Sequence, residues 1–336
     1  MKPVGVIILN WNGAELLRRY LPSVVKCNSD EIADVVVVDN GSTDESRTVL
    51  EKEFPEVKTL YFDENYGYAE GYNRALRQLG YEYSLLLNSD VETTPRWLDP
   101  LYEYMRSNSP NVAACQPKLR AYTDRERFEY AGASGGFLDK NGYPYCRGRI
   151  FDTVETDNGQ YDDIVEVFWA TGAALMVRTE VYLDCGGLDK DFFAHMEEID
   201  LCWRMHQKGY SIKVVPQSCV FHLGGGSLPA SNPRKTYLNF RNNLFLLYKN
   251  LPTKQGKKVL FVRRLYDALA FMMFVAKCDF ANARAVVKAH NDFRRQRGRY
   301  DGVQPLRSIT CDFACFRRNI IVDYYLRGKR TYKSLS

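Results

Sequence analysis

Residues 35–46 read VVVVDNGSTDES, four consecutive valines followed by an aspartate and a polar segment. Val35–Val38 has no alternating polar positions, and such a continuous apolar run is typical of a strand buried on both faces of a parallel sheet. Val4–Leu9 is a second run of the same kind. The two runs therefore predict buried strands of one parallel sheet.

The segments that follow these two runs alternate between strand and helix patterns. Further strands are predicted at Val57–Phe62 and Tyr83–Leu87, and helices at Glu15–Lys26 and Ala69–Leu79. This β-α-β-α order predicts an α/β protein with a doubly wound sheet, in which ligands bind at the carboxyl ends of the strands.

Polar side chains follow three of the predicted strands: Asn10 after the first, Asp39 after the second, and Asn88, Ser89 and Asp90 after the fourth. Their shared position predicts one binding site at this edge of the sheet. Asp39 suits hydrogen bonds from a base ring or a ribose hydroxyl, but a turn residue that caps the next helix fits equally well. Asp90 suits a divalent cation held against a diphosphate, whereas a simple turn explains it without a ligand.

Two glycine-containing segments are further candidates. Residues 64–76, ENYGYAEGYNRAL, place small residues and amides before a helix, which either permits close approach of a phosphate or sugar or only closes a loop. His222 precedes the glycine run Gly224–Gly226. It is therefore either a packed histidine at a strand end or a metal ligand beside a loop that closes over a ligand.

The rest of the pattern predicts how the chain is organised. Residues 117–160 are rich in Gly, Tyr, Asp and Arg and predict irregular loops or hairpins near the site. A strand is predicted at Ile212–Val215, and helices at Glu198–Lys208, Tyr237–Asn250 and Lys257–His290. The change of pattern near residue 230 predicts two domains, a sheet domain over 1–230 and a helical, basic region over 231–336.

Charge is distributed unevenly along the 336 residues, whose net charge is +5. From Lys254 to the end there are 19 Lys and Arg against six Asp and no Glu. This asymmetry predicts that the C-terminal region faces an anionic partner, such as a membrane surface or a phosphorylated lipid. Nine scattered cysteines without a CxxC pair favour a reduced, cytoplasmic location. The N-terminal apolar run is too short for a signal peptide.

The apolar stretch ALAFMMFVA, residues 268–276, lies within the predicted C-terminal helix. It falls short of the roughly 18 apolar residues that a membrane-spanning helix needs. Its basic flanks suit a helix in the interface of an anionic membrane, and a core helix packed on the sheet domain is the alternative. The membrane-interface helix and the core helix are compatible if the apolar face packs inward while four arginines face lipid headgroups: Arg294, Arg295, Arg297 and Arg299.

Residues 192–216, FFAHMEEIDLCWRMHQKGYSIKVVP, place Glu197, Glu198 and Asp200 within four positions. Repulsion and desolvation raise the cost of keeping such groups ionised, so this crowding needs a reason. A solvated acidic start of a helix, favoured by the helix dipole, explains Asp200. A general base with a pKa raised toward the working pH explains Glu198 better.

Seven runs stand in order along the chain: VIILNWNG, VVVVDNGSTDES, ENYGYAEGYN, LLLNSD, TGAALMVR, GGLDKDFFAHMEEIDLCWR and GYSIKVVP. Together they resemble the signatures of family 2 glycosyltransferases between residue 4 and about residue 250, and most of all the rhamnosyltransferase-like group of cell-surface polysaccharide assembly. The resemblance implies a GT-A fold and the transfer of a sugar, with inversion, from a nucleotide-activated donor.

The resemblance also implies a nucleotide-sugar pocket. Asp39 would contact a uracil or thymine ring. Asp90 would be the last residue of a DxD-type motif and bind the Mg²⁺ or Mn²⁺ that bridges the diphosphate, with His222 as a further ligand. Asn88 departs from the motif's first Asp and removes one charge. The other residues implied to line the pocket are Asn10, Asn65, Asn73 and Ser89.

The catalytic residue implied by the resemblance is Glu198, at a position where many relatives have Asp. It would act as the general base that deprotonates the acceptor hydroxyl. Trp169, Gly172 and Glu197 would lie near the sugar and the acceptor. Trp169 suits stacking on an apolar sugar face, and a core position fits it equally. Asp200 would orient the acidic loop and cap the helix.

These observations imply an inverting, metal-dependent glycosyltransferase. It would move a sugar from a UDP- or dTDP-sugar to a hydroxyl of a lipid-linked saccharide, as a peripheral protein on the inner face of the cell membrane. The alternative is a non-catalytic sugar-nucleotide or glycan-binding protein with the same fold. No recognisable RNA or DNA module accompanies the basic region, so nucleic acid is not an expected partner. A dinucleotide-dependent dehydrogenase is disfavoured because GxGxxG is missing after the first strand.

Overall fold

A computed structural model describes residues 2–108, 110–224, 232–303, 305–310 and 312–335. Its strands are β1 (Val4–Asn10), β2 (Ala33–Asn40), β3 (Lys58–Phe62), β4 (Tyr83–Leu87), β5 (Val91–Thr93), β6 (Val112–Ala121), β7 (Gly136–Leu138), β8 (Pro144–Cys146), β9 (Arg149–Ile150), β10 (Thr153–Val154), β11 (Val165–Glu166), β12 (Ala174–Arg178) and β13 (Ser211–His222). Its α-helices are α1 (Ala14–Lys26), α2 (Ser46–Glu53), α3 (Gly67–Leu79), α4 (Leu98–Ser107), α5 (Thr179–Asp184), α6 (Glu197–Gln207), α7 (Pro233–Asn250), α8 (Thr253–Ala276) and α9 (Phe280–Gln296).

Nine of the strands form one mixed sheet in the order β11-β13-β6-β12-β4-β1-β2-β3, with β5 added to β13. Strands β4, β1, β2 and β3 run parallel to one another, and β6 and β13 form a second parallel pair. Strand β12 runs antiparallel between β4 and β6, which joins the two parallel halves. The predicted α/β fold with a doubly wound, mostly parallel sheet is confirmed.

Alternation along β1 and β2 divides the core between the two faces of the sheet. Ile7 and Val36 contact a cluster on one face, and Val6 and Val37 contact a cluster on the other. All four side chains are almost completely buried. Successive side chains of a strand point to opposite faces of the sheet, and both faces are covered here. Burial on both faces therefore explains why the runs contain no polar residue, as predicted.

The register of the parallel strands brings the predicted polar residues to one edge. Asn10, the last residue of β1, pairs directly with Asp39 of β2. Ile8 pairs with Leu87 of β4, so Asn88 follows at the same edge. Neighbouring strands lie about 4.8 Å apart, which places these three positions across three adjacent strands.

Of the two predictions for the chain after β6, one is confirmed and one is corrected. Residues 117–160 contain the predicted hairpins, since β7–β10 form a four-stranded antiparallel sheet, and residues 117–121 extend β6. Lys257–His290 is not one helix: α8 ends at Ala276, and Cys278 adopts a left-handed φ of 57°. Asp279 then begins α9 by accepting a hydrogen bond from the backbone N–H of Asn282.

The described part of the C-terminal region is helical, as predicted. None of the helices within the described residues combines the length and apolarity that a membrane crossing requires. The eight cysteines within the described ranges all carry free thiols. The predicted domain boundary near residue 230 lies outside the described residues.

Candidate active site

One end of the candidate site is built on the carboxyl ends of β1 and β2. Asp39 is buried, and its Oδ1 accepts a hydrogen bond from Asn10 Nδ2 at 3.1 Å. Its Oδ2 accepts a second bond from the backbone N–H of Ser42 at 3.2 Å. Asn10 Oδ1 is buried without a partner, which leaves an acceptor atom for a ligand beside a fixed carboxylate. The structure therefore brings Asn10 and Asp39 together as predicted.

Asn65 and Asn73, both predicted to line the nucleotide pocket, have different surroundings. Asn65 is exposed at the start of α3, where its Oδ1 accepts bonds from Asn40 Nδ2 at 2.9 Å and from the Gly67 N–H at 2.8 Å. It shapes the loop at the same edge of the sheet as Asp39.

The prediction for Asn73 is corrected. Its Oδ1 accepts from the Tyr182 hydroxyl at 2.7 Å and from the Leu188 N–H at 2.9 Å, while its Nδ2 donates to the Leu188 carbonyl at 2.8 Å. The side chain is buried, and these bonds fasten α3 to the loop that precedes the acidic residues. An amide used in this way is a structural tie rather than a pocket wall.

Asp90 and His222 meet because β5 pairs antiparallel with the end of β13, where His222 lies opposite Val91. Asp90 Oδ1 is 3.1 Å from His222 Nε2, and Glu129 Oε1 is 3.4 Å from His222 Nδ1. Burial opposes a charge on the imidazole, but the hydrogen bonds of Asp90 and Glu129 prevail and raise the pKa of His222 to about 10. Burial alone would raise the pKa of Asp90, but the hydrogen bond with His222 outweighs burial, so the pKa of Asp90 is lowered.

A carboxylate oxygen beside an imidazole nitrogen fits a divalent cation such as Mg²⁺ or Mn²⁺ once the imidazole has lost its proton, because a histidine ligand must be neutral. Such a cation would take the place of the proton that Asp90 and Glu129 stabilise on His222. Asn88 lies next to the pair, since its Nδ2 is 3.5 Å from His222 Nε2. Within the described ranges, no cluster of three or more His, Cys, Asp or Glu side chains has metal-binding geometry. Asp90 and His222 would therefore hold a cation only with further oxygens from a ligand, as a diphosphate supplies. Glu129 would orient the imidazole from its other nitrogen.

The acidic pair lies in the first turn of α6. Glu197 is buried and Glu198 half-buried, and one carboxylate oxygen of each has no partner. Burial, reinforced by the neighbouring Glu198, raises the pKa of Glu197 well above its usual value. Burial likewise raises the pKa of Glu198 to about 7, against the backbone hydrogen bonds at the helix start. A carboxylate with a pKa near neutrality is suited to take a proton at working pH.

Space remains in front of Glu198 because Gly172 has no side chain. A Cβ on Gly172 would lie 3.9 Å from the Cβ of Glu198 and 2.8 Å from the hydroxyl oxygen of Tyr68. Tyr68 donates to the Gly172 carbonyl at 3.0 Å and lies 3.4 Å from Asn88 Oδ1. Tyr68 thus links the acidic pair to the residues beside Asp90, and the two predicted groups form one site.

Trp169 was predicted to lie near the sugar, and the structure corrects this. Its side chain is buried, and its indole N–H donates to the Phe137 carbonyl at 3.1 Å. A Cβ on Gly136 would be only 2.0 Å from the indole ring. The ring therefore packs against the backbone of β7 in the core, with its only polar atom satisfied.

Asp200 was predicted to cap α6, but it lies within the helix, whose N-cap is Met196. The buried carboxylate accepts from Lys249 at 2.9 Å and from Asn250 Nδ2 at 2.7 Å, and it pairs with Arg204 at 2.7 Å. Burial disfavours its charge, but the charges of Arg204 and Lys249 outweigh burial and lower the pKa of Asp200 to about 2. Asp200 therefore attaches α6 to the end of α7 and remains ionised.

The loop before the acidic pair is strained and is held by α7. Phe193, His195 and Met196 adopt left-handed φ values of 67°, 68° and 76°. Such conformations cost non-glycine residues of order 1–3 kcal/mol each and persist only where the surroundings fix them. Here the side-chain amide of Asn242 lies 2.8, 2.7 and 2.8 Å from the carbonyl oxygens of residues 192, 194 and 195, and it donates to them. Arg241 adds a bond to the carbonyl of residue 192 at 2.9 Å.

Replacing Asn242 with Ala should displace Glu198, although the Asn242 side chain donates only to the loop before Glu198. The exchange removes a donor from the part-buried carbonyls of residues 194 and 195, at about 1–3 kcal/mol each, and the strained loop is free to relax. We expect turnover to fall roughly tenfold or more, because small misplacements of a reacting group are costly. Nucleotide release from the donor and the pH profile of kcat, which follows Glu198, measure the effect.

Asn243→Ala is the matched control for this prediction. Asn243 is also buried in α7, but its Nδ2 donates to the Gly142 carbonyl beside the small sheet. We expect this variant to lose stability while its kcat and pH profile stay close to those of the wild type. Equal losses of kcat in the two variants would contradict a positioning role for Asn242.

Three functional candidates were missed by sequence analysis: Tyr68, Glu129 and Asn242. Tyr68 lies in the quoted run ENYGYAEGYN, so its place was visible but its contact with Gly172 was not. Glu129 lies in a segment without a motif and reaches His222 only through tertiary structure. Asn242 follows Arg241 in the run FRNN, and that pair was the available signal.

Comparison with known proteins is consistent with this fold. The family model described as Glycosyl transferase family 2 matches residues 5–161. An N-acetylglucosaminyl-diphospho-decaprenol L-rhamnosyltransferase of Mycobacterium tuberculosis is 26% identical over 235 residues, which cover 65% of this chain and 75% of the relative.

Two solved structures are similar to the whole fold. TarS 1–349 of S. aureus in complex with UDP-GlcNAc has a TM-score of 0.56 at 17% identity, covering 87% of this chain and 80% of that one. GalNAc-T7 with UDP, GalNAc and Mn²⁺ has a TM-score of 0.59 at 14% identity, covering 90% of this chain but 58% of that longer chain. The mixed sheet and its helices form a GT-A fold. The resemblance to family 2 glycosyltransferases seen in the sequence is therefore confirmed for residues 5–161.

Proposed function

We propose that this protein is an inverting glycosyltransferase whose general base is Glu198. The observation that carries the proposal is the half-buried Glu198, whose carboxyl group has a pKa of about 7 and one buried oxygen without a partner and whose Cβ lies close to the side-chain-free Gly172. Tyr68 connects that space to Asn88, next to Asp90. Base and diphosphate-binding residues therefore adjoin one another, as a single displacement requires.

The chemistry assigned to the chain's own residues is simple. Glu198 takes the proton of the acceptor hydroxyl as its oxygen attacks the anomeric carbon of the donor sugar, and the bond from that carbon to the nucleoside diphosphate breaks. Burial and the neighbouring Glu198 raise the pKa of Glu197, which favours the protonated form, and that form is suited to donate a hydrogen bond to a sugar or acceptor oxygen. Asp90 and His222 would hold Mg²⁺ or Mn²⁺, which when bound neutralises charge on the departing diphosphate.

The donor is proposed to be a UDP- or dTDP-sugar. Asp39 and Asn10 supply a carboxylate and a free amide oxygen that suit the N–H of a pyrimidine ring. Similar structures hold UDP with Mn²⁺ and UDP-GlcNAc, which supports the same class of donor.

The acceptor is proposed to be a lipid-linked saccharide, and the protein a peripheral one on the cytoplasmic face of the membrane. The name of the mycobacterial relative, which specifies a diphospho-decaprenol substrate for that enzyme, supports this proposal. We also propose two units, a catalytic domain over 1–230 and a helical region over 231–336. The contact of Asn242 with the loop before Glu198 makes the second unit part of the active site.

A panel of UDP- and dTDP-sugars, assayed with Mg²⁺ or Mn²⁺ for nucleotide release, tests the proposal. Metal-dependent turnover of one donor is expected, with or without added lipid-linked acceptor from membrane extract. Binding of a donor without turnover, even with the extract, would favour the non-catalytic binding protein. Absence of binding by every nucleotide sugar would overturn both functions.

Replacing Asp39 with Asn tests its role in nucleotide binding. The amide keeps the size of the side chain but lacks the charge that a ring N–H would meet. Hydrogen bonds to charged groups contribute about 1.5–3 kcal/mol, so UDP affinity should fall roughly 10- to 100-fold. Isothermal titration with UDP measures the change.

Asp34→Asn is the control on the same strand. Asp34 lies at the opposite end of β2, where it pairs with Lys58 at 2.7 Å and accepts from the Tyr81 hydroxyl at 2.9 Å. We expect this variant to bind UDP like the wild type. If both variants lose affinity equally, the effect is one of strand stability and Asp39 has no direct role.

A further inference from the structure

The outer face of α8 carries large apolar side chains that no part of the described chain covers. Five of them are more than half exposed and recur at helical spacing: Phe261, Leu265, Leu269, Met272 and Met273. The buried residues of α8 lie on the opposite side of the helix: Gly256, Leu260, Arg263 and Asp267. Exposed apolar residues arranged as a stripe, rather than singly, indicate an interaction surface.

The second half of α8 contains no buried residue. From Ala268 to Ala276 every residue is exposed or half-buried, over a length of about 13 Å at the helical rise of 1.5 Å per residue. Of the two alternatives for residues 268–276, this exposure disfavours the core helix. Between this half of α8 and α9 runs an open groove of about 530 Å³, lined by apolar Phe271, Val275 and Val287 and by basic Arg284 and Arg295.

Positive charge borders the apolar stripe. The only acidic residue in α8 is Asp267, which is buried and paired with Arg263 at 2.9 Å. Exposed cations lie at both ends of the helix and on the facing side of the groove: Lys254, Lys257, Lys258, Lys277 and Arg284. An anionic partner is therefore complementary to the rim of the stripe.

A basic pocket of about 400 Å³ adjoins the middle of α8. Its lining includes five cations, Lys140, Arg317, Arg318, Arg327 and Lys329, and one acid, Asp323. The pocket reaches α8 because Asn319 in its lining donates to the Tyr266 hydroxyl at 2.9 Å. Asp323 neutralises only Arg327, at 3.0 Å, so the pocket keeps a net positive charge suited to a phosphate group.

We propose that the apolar stripe of α8, together with this basic pocket, docks the protein on a membrane rich in anionic phospholipids. The apolar side chains enter the interface between headgroups and acyl chains, and the cations contact headgroup phosphates. A second copy of the chain fits less well, because a two-fold contact of the stripe with itself brings the same cations face to face. The inference deepens the proposed function and rests on it, since a lipid-linked acceptor lies in such a membrane.

Co-sedimentation of the full chain with vesicles tests the docking surface. Vesicles of phosphatidylglycerol and phosphatidylcholine should bind the wild type at least tenfold better than phosphatidylcholine alone, and added salt should weaken that binding. The triple variant Leu265→Ser, Leu269→Ser, Met272→Ser should lose at least tenfold in binding to the mixed vesicles. A matched control, Ile164→Ser, Leu183→Ser, Leu306→Ser, removes three exposed apolar side chains elsewhere and should bind like the wild type.

Nucleotide release from a soluble donor separates this inference from the proposed function. Loss of vesicle binding in the stripe variant, with donor turnover retained, supports docking through α8. Equal vesicle binding by the stripe variant and the control overturns it and leaves the transferase proposal intact. A wild type that ignores vesicles but forms a dimer, which the stripe variant loses, also overturns it in favour of a second copy. Failure of donor turnover with normal vesicle binding counts against the transferase alone.

Discussion

Turnover of the nucleotide sugar should fall roughly 10²- to 10⁴-fold when Glu198 is replaced by Gln, the range that a positioned general base contributes. The amide has nearly the same shape but cannot accept the proton of the acceptor hydroxyl. The donor should still bind, because Asp39 and Asp90 lie on other strand ends and are unchanged. Nucleotide release and UDP affinity, measured on the same preparation, separate the two effects.

The pH profile of the wild type checks the same assignment. Burial raises the pKa of Glu198 to about 7, so kcat/KM should rise with pH through about 7 as the carboxyl group loses its proton. Glu197→Gln is the comparison variant, because it changes the neighbouring carboxyl group and leaves the base in place. It should keep the rising limb of the profile. A Glu198→Gln variant that retains more than a tenth of wild-type turnover would remove Glu198 from the mechanism.

Glu198→Gln should also stabilise the folded protein at alkaline pH. A carboxyl group whose pKa is higher in the folded than in the unfolded chain loses stability as pH rises, here between about 4.5 and 7. At pH 8 the folded wild type must hold this group ionised, at a cost on the order of 3 kcal/mol or less. Glu198→Gln removes that cost, so its thermal midpoint at pH 8 should exceed that of the wild type. At pH 4 the two midpoints should converge.

Features of the site that depend on neighbouring residues in the sequence could be predicted, whereas those that depend on contacts between distant residues could not. The apolar runs of β1 and β2 predicted buried parallel strands because burial on both faces leaves a local signature. The carboxyl ends of those strands then predicted where Asn10, Asp39 and Asp90 would lie. Strand order and register were not needed for this step, since every parallel strand ends at the same edge.

Residue type alone did not predict which amides and rings face the ligand. Asn65 and Asn73 lie eight positions apart, and only the contacts of Asn73 with Tyr182 and Leu188 show that it is a structural tie. Trp169 suited the core and a sugar equally well in sequence. The core position of Trp169 depends on Gly136, 33 residues earlier, because the absence of a side chain there leaves room for the indole ring.

The C-terminal helices show a second limit of sequence analysis. The apolar stretch 268–276 fitted a core helix and a membrane-facing helix alike, because periodicity describes one helix and not its neighbours. Helix α8 ends at Ala276, just before the left-handed Cys278, and none of its residues after Asp267 is buried. The role of α7 was equally hidden, because Asn242 reaches the loop before Glu198 across about 50 residues of chain.

Replacing Asp90 with Ala should remove the effect of Mn²⁺ on nucleotide binding. In the wild type, Asp90 and His222 would hold the cation together with the diphosphate, so UDP should bind at least tenfold more tightly with Mn²⁺ than with a chelator present. Without the carboxylate, one of only two protein ligands is lost, and UDP affinity should become independent of the metal. Turnover should fall about 100-fold or more, because charge on the departing diphosphate is no longer neutralised.

Glu92→Gln is the matched control for the metal site. Glu92 lies two residues after Asp90 in β5, but its carboxylate pairs with Arg125 at 2.7 Å. This variant should keep the metal dependence of UDP binding, which titrations with Mn²⁺, Mg²⁺ and chelator will show. If Asp90→Ala still binds UDP more tightly with Mn²⁺, the cation is held elsewhere. In that case the 3.1 Å contact between Asp90 and His222 would be a structural ion pair that fixes β5 to β13.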